Sequence, residues 1–227
     1  MIDINNMNQL KCIDSRLYDK ILKVHLDKRD LDYIPDIIFK FTNLQVLNLS
    51  SNLIKIIPNN IGDLVNLQEL YLDRNHISEI PEEIGKLHKL RKVILSNNKI
   101  RYLPDSFYNL ENLEILNISC NHLGIISDDI TKLEKLEYLY LRNNRLRYIP
   151  KDIAKIRVTK IYYDSYENLN NLSYDCEYLQ IESLDKPLTN LPVNIQELRL
   201  YLPKLKLTEI KLPFGCKLYE DDILRNL

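Results

Sequence analysis

The chain has 227 residues, of which 45% are hydrophobic, and this length suits one large domain or two small ones. Its 31 basic and 32 acidic residues give a net charge of −1, which excludes a global positive field that would attract nucleic acid or anionic lipid. We therefore expect no nucleic-acid partner and no membrane partner.

The first 20 residues predict a cap at the N-terminus. Ile4, Leu10, Ile13 and Leu17 are apolar, and Asp14 or Ser15 could cap a helix there. The opening residues contain no basic segment followed by an apolar one, so we expect no secretory signal. This predicts an intracellular, cytoplasmic protein. The composition resembles that of an AT-rich genome, such as a protist or a large DNA virus, and in the viral case the location would be the host cytoplasm.

The cysteines support the same compartment. They are far apart in the sequence and form no pair at CxxC spacing, so we expect four reduced thiols. The four are Cys12, Cys120, Cys176 and Cys216.

A period of 23 residues organises the chain from residue 21 to residue 158. It is marked by Pro35, Pro58, Pro81, Pro104 and Pro150, with Ser127 in the remaining slot. The first position of each unit is occupied by Ile21, Leu44, Leu67, Leu90, Leu113 and Leu136. A period of this length predicts a solenoid in which each unit contacts mainly its neighbours.

The physical role of each position can be read in the unit that starts at Leu67. Alternation predicts a strand with Leu70 and Leu72 on the inner face and Tyr71 on the outer face. Asn75 can bond backbone groups of its own turn and the neighbouring turn. Pro81 can open a helical turn, where its missing N–H costs nothing.

This unit, LxxLxLxxNxLxxLPxxIxxL, resembles the leucine-rich repeat family and in particular its 23-residue intracellular class, which includes Ras-suppressor and Scribble-type proteins. Six units in register, residues 21–158, carry the resemblance. It implies an α/β fold: a curved solenoid with a right-handed coil, a parallel sheet on the concave face and short helical or 3₁₀ turns on the convex face. It also implies a non-enzymatic module for protein–protein interaction.

The pattern weakens at two places. Ser127 replaces a proline and follows Gly124, so we expect a looser convex turn there. Over residues 159–227 we expect degenerate repeats and a C-terminal cap of the same solenoid, ending in a polar tail. The alternative is that these residues form a separate small domain. Strands are predicted in this part at residues 158–163, 179–181, 198–200 and 210–212. The first of them begins one residue earlier than the 23-residue period requires. Residues 188–198 preserve the LxxLPxxIxxL half of a repeat.

The sequence indicates no catalytic, cofactor or metal site. The four histidines are scattered, and four glycines could hardly build a phosphate-binding loop. Cys12-Ile13-Asp14 matches the short Cys-x-Asp motif of bacterial leucine-rich-repeat ubiquitin ligases, but there the motif lies in a helical domain after the repeats. A ligase-linked or other thiol-dependent enzyme is thus one alternative, and a receptor-like recognition domain is another.

Function is expected on the outward strand positions of the concave sheet. Tyrosine and arginine are enriched at interaction hot spots, and several fall on adjacent predicted strands beside exposed isoleucines. We expect a monomer that binds a protein partner there; the convex side and the segment with Tyr162, Tyr163 and Tyr166 are rival surfaces. The predicted contact residues are Glu69, Tyr71, Asp73, Arg74, Lys92, Ile94, Ile115, Asn117, Tyr138, Tyr140 and Arg142.

Overall fold

The computed structural model describes residues 2–146, 150, 160–163, 178–181, 195–200, 212–221 and 223–225. It contains a 12-stranded sheet whose strands follow each other in chain order. All neighbouring strands are parallel except the last pair, which is antiparallel. The strands are β1 (Ile2–Ile4), β2 (Ile21–His25), β3 (Val46–Asn48), β4 (Glu69–Tyr71), β5 (Lys92–Ile94), β6 (Ile115–Asn117), β7 (Tyr138–Tyr140), β8 (Lys160–Tyr163), β9 (Tyr178–Ile181), β10 (Glu197–Leu200), β11 (Lys217–Glu220) and β12 (Ile223–Arg225).

The 23-residue period sets the register of the regular strands. Leu47 pairs with Leu70, Leu70 with Val93, Val93 with Leu116 and Leu116 with Leu139. These central side chains are at most 1% exposed, whereas the two flanking residues of each strand from β3 to β7 are partly exposed. The predicted inner and outer faces are therefore confirmed.

Among the described residues, six 3₁₀ turns face the sheet across the core. Each of the last five follows a proline or Ser127, whose extended backbone leads into the turn. Apolar residues such as Ile84 and Leu87 point inward from these turns and are at most 1% exposed. This is the curved parallel solenoid that the repeat pattern predicts. The turns are Ser15–Lys20, Asp36–Lys40, Asn59–Asp63, Glu82–Lys86, Asp105–Asn109 and Asp128–Lys132.

The turn after Ser127 is as regular as its neighbours. Ser127 has φ −64° and ψ 151°, close to the −65° and 156° of Pro104. Its hydroxyl accepts a hydrogen bond from the backbone N–H of Asp129, and its own N–H donates to the Tyr108 hydroxyl at 3.2 Å. Serine thus caps the turn and keeps its five-residue length, contrary to the looser turn that the sequence predicts.

A ladder of asparagines joins the repeats at the end of each strand. In Asn75 the side-chain amide donates to the carbonyls of Leu49 at 3.0 Å and Leu72 at 3.1 Å, and its oxygen accepts from the N–H of Ile54 at 3.0 Å. Asn52, Asn98, Asn121 and Asn144 repeat this arrangement. The predicted role of the asparagine in satisfying buried backbone groups is confirmed.

The N-terminal segment contains more structure than the sequence indicates. Strand β1 extends the sheet parallel to β2, and the helix α1 (Met7–Cys12) follows it. Asn6 caps α1, while Asp14 caps the 3₁₀ turn that leads into β2. Ile4 and Leu10 are 1% exposed and close this end of the core. The boundary of the cap at residue 20 stays a prediction.

The C-terminal strands partly follow the prediction. Leu139 pairs with Ile161, so β8 arrives one residue early as expected, and β9 and β10 cover the strands predicted at 179–181 and 198–200. Leu212 lies outside any strand, and Ile210, residues 188–194, Val158, Tyr166 and Cys176 lie outside the described residues. The assignment of 159–227 to degenerate repeats of the same solenoid stays a prediction.

The predicted polar tail is wrong, because β11 and β12 form a hairpin there. Leu218 in β11 is 1% exposed, so the alternating sequence of this strand buries one apolar residue against the core. Asp221, with φ 46°, begins the two-residue connection, and positive φ suits such tight hairpins. No helix among the described residues is long and apolar enough to cross a membrane.

Candidate protein-binding face

Two rows of partly buried side chains cross the concave sheet from β4 to β7. Strand register aligns Glu69, Lys92, Ile115 and Tyr138 in one row. It aligns Tyr71, Ile94, Asn117 and Tyr140 in the other. Neighbouring strands are ~4.8 Å apart, so each row spans roughly 15 Å. Eight of the eleven predicted contact residues therefore form one continuous surface.

Tyr71 is held in place by its neighbours. Its hydroxyl donates to a carboxylate oxygen of Glu69 at 2.5 Å, and the Lys92 ammonium lies 5.1 Å from the centre of its ring. Burial raises the pKa of Tyr71, and the hydrogen bond to Glu69 raises it further. The ring therefore stays neutral at physiological pH and is fixed before any partner arrives, which lowers the entropic cost of binding.

The other half of the surface is mainly apolar and aromatic. Ile94 and Ile115 lie on adjacent strands, and Tyr138 and Tyr140 follow on β7, all partly exposed. The two isoleucines lie on the middle strands β5 and β6, the tyrosines lie on the outer strands β4 and β7, and the charged pair Glu69 and Lys92 lies toward the β4 end. Aromatic residues are enriched at protein-binding surfaces and at their energetic hot spots.

The turns after the strands carry the remaining predicted residues. Asp73 accepts a hydrogen bond from the Ser50 hydroxyl at 2.6 Å, which ties two neighbouring repeats together. Arg74 is exposed and has φ 54°, and this left-handed conformation recurs at the eighth position of each regular repeat. The chain turns out of the strand direction there, so Arg74 lies at the margin of the face and outside both rows.

A depression of about 330 Å³ adjoins the second row, next to Tyr140 and Arg142. Asn117, another predicted contact residue, also lines it, and the other walls are polar side chains outside the predicted set. The signal that could have identified them is the serine at the seventh repeat position, which recurs at Ser50, Ser96 and Ser119. The full lining is Ser96, Asn97, Asn117, Ser119, Cys120, Tyr140 and Arg142.

The Cys-x-Asp motif is poorly arranged for thiol chemistry. Cys12 is exposed at the end of α1, and Asp14 caps the next turn. The Arg16 side chain pairs with the Asp14 carboxylate, and this hydrogen bonding lowers the pKa of Asp14. A carboxylate that is held by a guanidinium is a weak base for activating a thiol.

The described part of the chain contains neither a group of side chains suited to bind a metal ion nor a disulfide bond. Its residues include no group of three or more His, Cys, Asp or Glu side chains that could hold a metal ion. The three cysteines within it, Cys12, Cys120 and Cys216, are all free thiols. Burial raises the pKa of the Cys216 thiol, which keeps it protonated and unreactive.

Comparisons with known proteins agree with this architecture. A family model described as a leucine-rich repeat region matches residues 24–204. No curated protein sequence matches the chain. Among solved structures, a leucine-rich repeat protein of Leptospira interrogans is 25% identical with a TM-score of 0.62, and the alignment covers 90% of this chain and 67% of that one.

Two further structures illustrate the range of similar proteins. An internalin from Listeria monocytogenes is 20% identical with a TM-score of 0.74, covering 93% of this chain and 67% of that chain; at this identity the likeness shows the fold alone. The leucine-rich repeat ectodomain of a plant membrane receptor kinase from Arabidopsis thaliana, in complex with CASPARIAN STRIP INTEGRITY FACTOR 2, is 25% identical with a TM-score of 0.65. That alignment covers 93% of this chain but 28% of the ectodomain.

Proposed function

The chain belongs to the leucine-rich repeat family, and on this premise we propose that it is a non-enzymatic module that binds a protein partner on its concave face. The observation that carries the proposal is the pair of registered rows across β4–β7, which place aromatic and aliphatic side chains on adjacent strands. The plant ectodomain, which was solved in complex with CASPARIAN STRIP INTEGRITY FACTOR 2, supports partner binding as a use of this fold.

The composition of the two rows defines the kind of partner. Tyr71, Tyr138 and Tyr140 offer apolar rings with polar tips, and such side chains dominate binding energy when a partner excludes water from them. Lys92 and Glu69 bring opposite charges that fix the orientation of the partner. We therefore propose a folded protein or a long peptide that places apolar groups against the isoleucines and tyrosines and charged groups against the end with Glu69 and Lys92.

The test uses affinity purification from the native cell with the double variant Tyr71→Ala/Tyr140→Ala. We expect it to recover at least tenfold less of the specific partner, since each truncated hot-spot ring costs more than about 1 kcal/mol of binding energy. Phe214→Ala is the matched control, because Phe214 is a fully exposed aromatic residue in the turn before β11 and lies outside both rows. Equal recovery by the double variant and the control, with both folded by circular dichroism, would remove the concave face from the proposal.

A thiol-dependent enzyme is the competing function, and its test is separate. A module without catalysis should form no ubiquitin thioester, and its Cys12→Ala variant should bind the same partner with the same affinity. Loss of an activity in Cys12→Ala with unchanged binding would favour the enzyme instead.

We also propose that the module is intracellular and monomeric. Three free thiols in the described residues support a reducing compartment. Mass spectrometry of the protein purified with its thiols blocked at lysis tests the compartment, and sedimentation at micromolar concentration tests the oligomeric state. A disulfide or a dimer would contradict the corresponding part.

A further inference from the structure

A row of exposed apolar side chains runs along the repeats outside the concave face. It occupies the thirteenth repeat position, between the asparagine turn and the proline of each unit. We name it the lateral stripe, and its members are Tyr33, Ile56, Tyr102 and Ile125, with exposed fractions of 65%, 72%, 48% and 54%. Only Glu79 interrupts the series. Large exposed apolar groups that recur at one repeat position indicate a shared surface rather than isolated exceptions.

Main-chain hydrogen bonds set the spacing along the stripe. The N–H of Lys99 donates to the carbonyl of Ile77 at 2.8 Å, and the N–H of His122 donates to that of Ile100 at 2.8 Å. Successive segments are therefore in direct backbone contact, with a separation of about 5 Å. One turn of an α-helix rises 5.4 Å, whereas side chains on one face of a strand recur at about 6.7 Å. The helix matches the stripe more closely.

Charged residues border the stripe on both sides. From the second unit onward, exposed basic residues precede it at the tenth or twelfth position, whereas the first unit has Asp30 and Asp32 there. These basic residues form no ion pair with any residue in the described ranges: Lys55, Lys99, Arg101 and Arg145. An acidic row follows it at the first position of the 3₁₀ turns: Asp36, Glu82, Asp105 and Asp128. An occupant must complement both rows while covering the apolar side chains between them.

We infer that the lateral stripe is a second docking surface, which binds an amphipathic helix with carboxylates on one flank of its apolar face and ammonium or guanidinium groups on the other. From Ile56 to Ile125 the stripe spans three repeat steps, or about 15 Å, which corresponds to about 10 helical residues. The two charged rows allow only one direction for such a helix along the solenoid. This surface is separate from the concave face, so each can fail without the other.

The test uses a lactam-stapled helical peptide of 14 residues that carries leucines on one face, glutamates on one flank and lysines on the other. Fluorescence anisotropy measures its affinity for the full chain. We expect Tyr102→Ser/Ile125→Ser and Lys99→Glu/Arg101→Glu each to weaken binding at least tenfold, and raised salt to weaken it further. Tyr140→Ala on the concave face should bind the peptide with unchanged affinity.

The matched control peptide replaces every leucine with serine and keeps the charges. Equal affinity of the two peptides would show that the apolar stripe does not contribute and would overturn the inference. So would weakening of the same size in Tyr140→Ala, because binding would then be on the sheet. The exposed positions that are changed leave the core intact, and circular dichroism of each variant verifies that it is folded.

Discussion

The asparagine ladder leads to a quantitative prediction for Asn98→Ala. The side-chain amide of Asn98 donates to the carbonyls of Leu72 at 2.9 Å and Leu95 at 3.0 Å, and its oxygen accepts from the N–H of Ile77 at 2.9 Å. The residue is 7% exposed, so water replaces these bonds poorly. Alanine removes all of them at once.

The neighbouring asparagines limit the damage. The Leu72 carbonyl also accepts from the Asn75 amide at 3.1 Å, and the Leu95 carbonyl accepts from the Asn121 amide at 2.9 Å. Only the Ile77 N–H loses its described partner, and an orphaned buried donor costs about 1–3 kcal/mol. Two weakened carbonyl interactions add about 1 kcal/mol, so we expect a loss of about 2–4 kcal/mol in the free energy of unfolding.

Urea unfolding followed by circular dichroism measures this loss. Asn109→Ala is the matched control, because Asn109 is exposed at the end of a 3₁₀ turn, and its stability should change by less than about 0.5 kcal/mol. Asn98→Asp should be at least as damaging as Asn98→Ala at pH 7, since its carboxylate faces two carbonyls. Hydrogen exchange of the Ile77 amide should accelerate in Asn98→Ala, which removes its acceptor. A change in Asn98→Ala no larger than in Asn109→Ala would contradict the structural role assigned to Asn98.

Two further predictions use single residues. Gly85→Ala should lower the midpoint of thermal unfolding by an amount equivalent to roughly 1–3 kcal/mol, because the new Cβ would lie 2.5 Å from the Ser106 carbonyl oxygen. Gly124→Ala is the control and should be neutral or slightly stabilising, because no atom lies within 4 Å of its new Cβ. A larger loss in Gly124→Ala than in Gly85→Ala would contradict the packing. Tyr71→Phe removes the hydrogen bond to Glu69 and should lower stability by about 1 kcal/mol at pH 7. Because the pKa of Tyr71 is raised in the folded state, the stability that its hydroxyl contributes is present below about pH 10 and is lost as the pH rises further. The difference in the free energy of unfolding between wild type and Tyr71→Phe, measured by urea unfolding, should therefore shrink above that pH. A difference that grows there would be inconsistent with the hydrogen bond to Glu69.

Much of the fold could be predicted because each repeat position has one structural role. The alternation at Leu70 and Leu72 and the spacing of Asn75 and Pro81 are local signals, and they recur in successive repeats. The two ends were harder. A three-residue strand such as β1 has almost no pattern of its own, and β11 and β12 exist because they pair with each other and bury Leu218.

The candidate face could be predicted in outline, since outward positions follow from the period. The sequence could not indicate that Lys92 lies over the Tyr71 ring, because that contact joins side chains on two strands. It also did not separate Arg74 from the rows, because the left-handed turn at that position is visible only in backbone angles. The lateral stripe was missed because the thirteenth position is occupied by tyrosine, isoleucine or glutamate and so does not look conserved between repeats.

Photo-crosslinking shows whether the concave face contacts the partner. p-Benzoylphenylalanine is placed at Ile94 in the middle of the rows or, as control, at the exposed Glu134, in the turn that connects Asp128–Lys132 to β7. Each protein is irradiated in a lysate of its native cell. We expect a covalent adduct with one protein from position 94 and none with that protein from position 134. Adducts with the same protein at equal yield from both positions, or from position 134 alone, would contradict it.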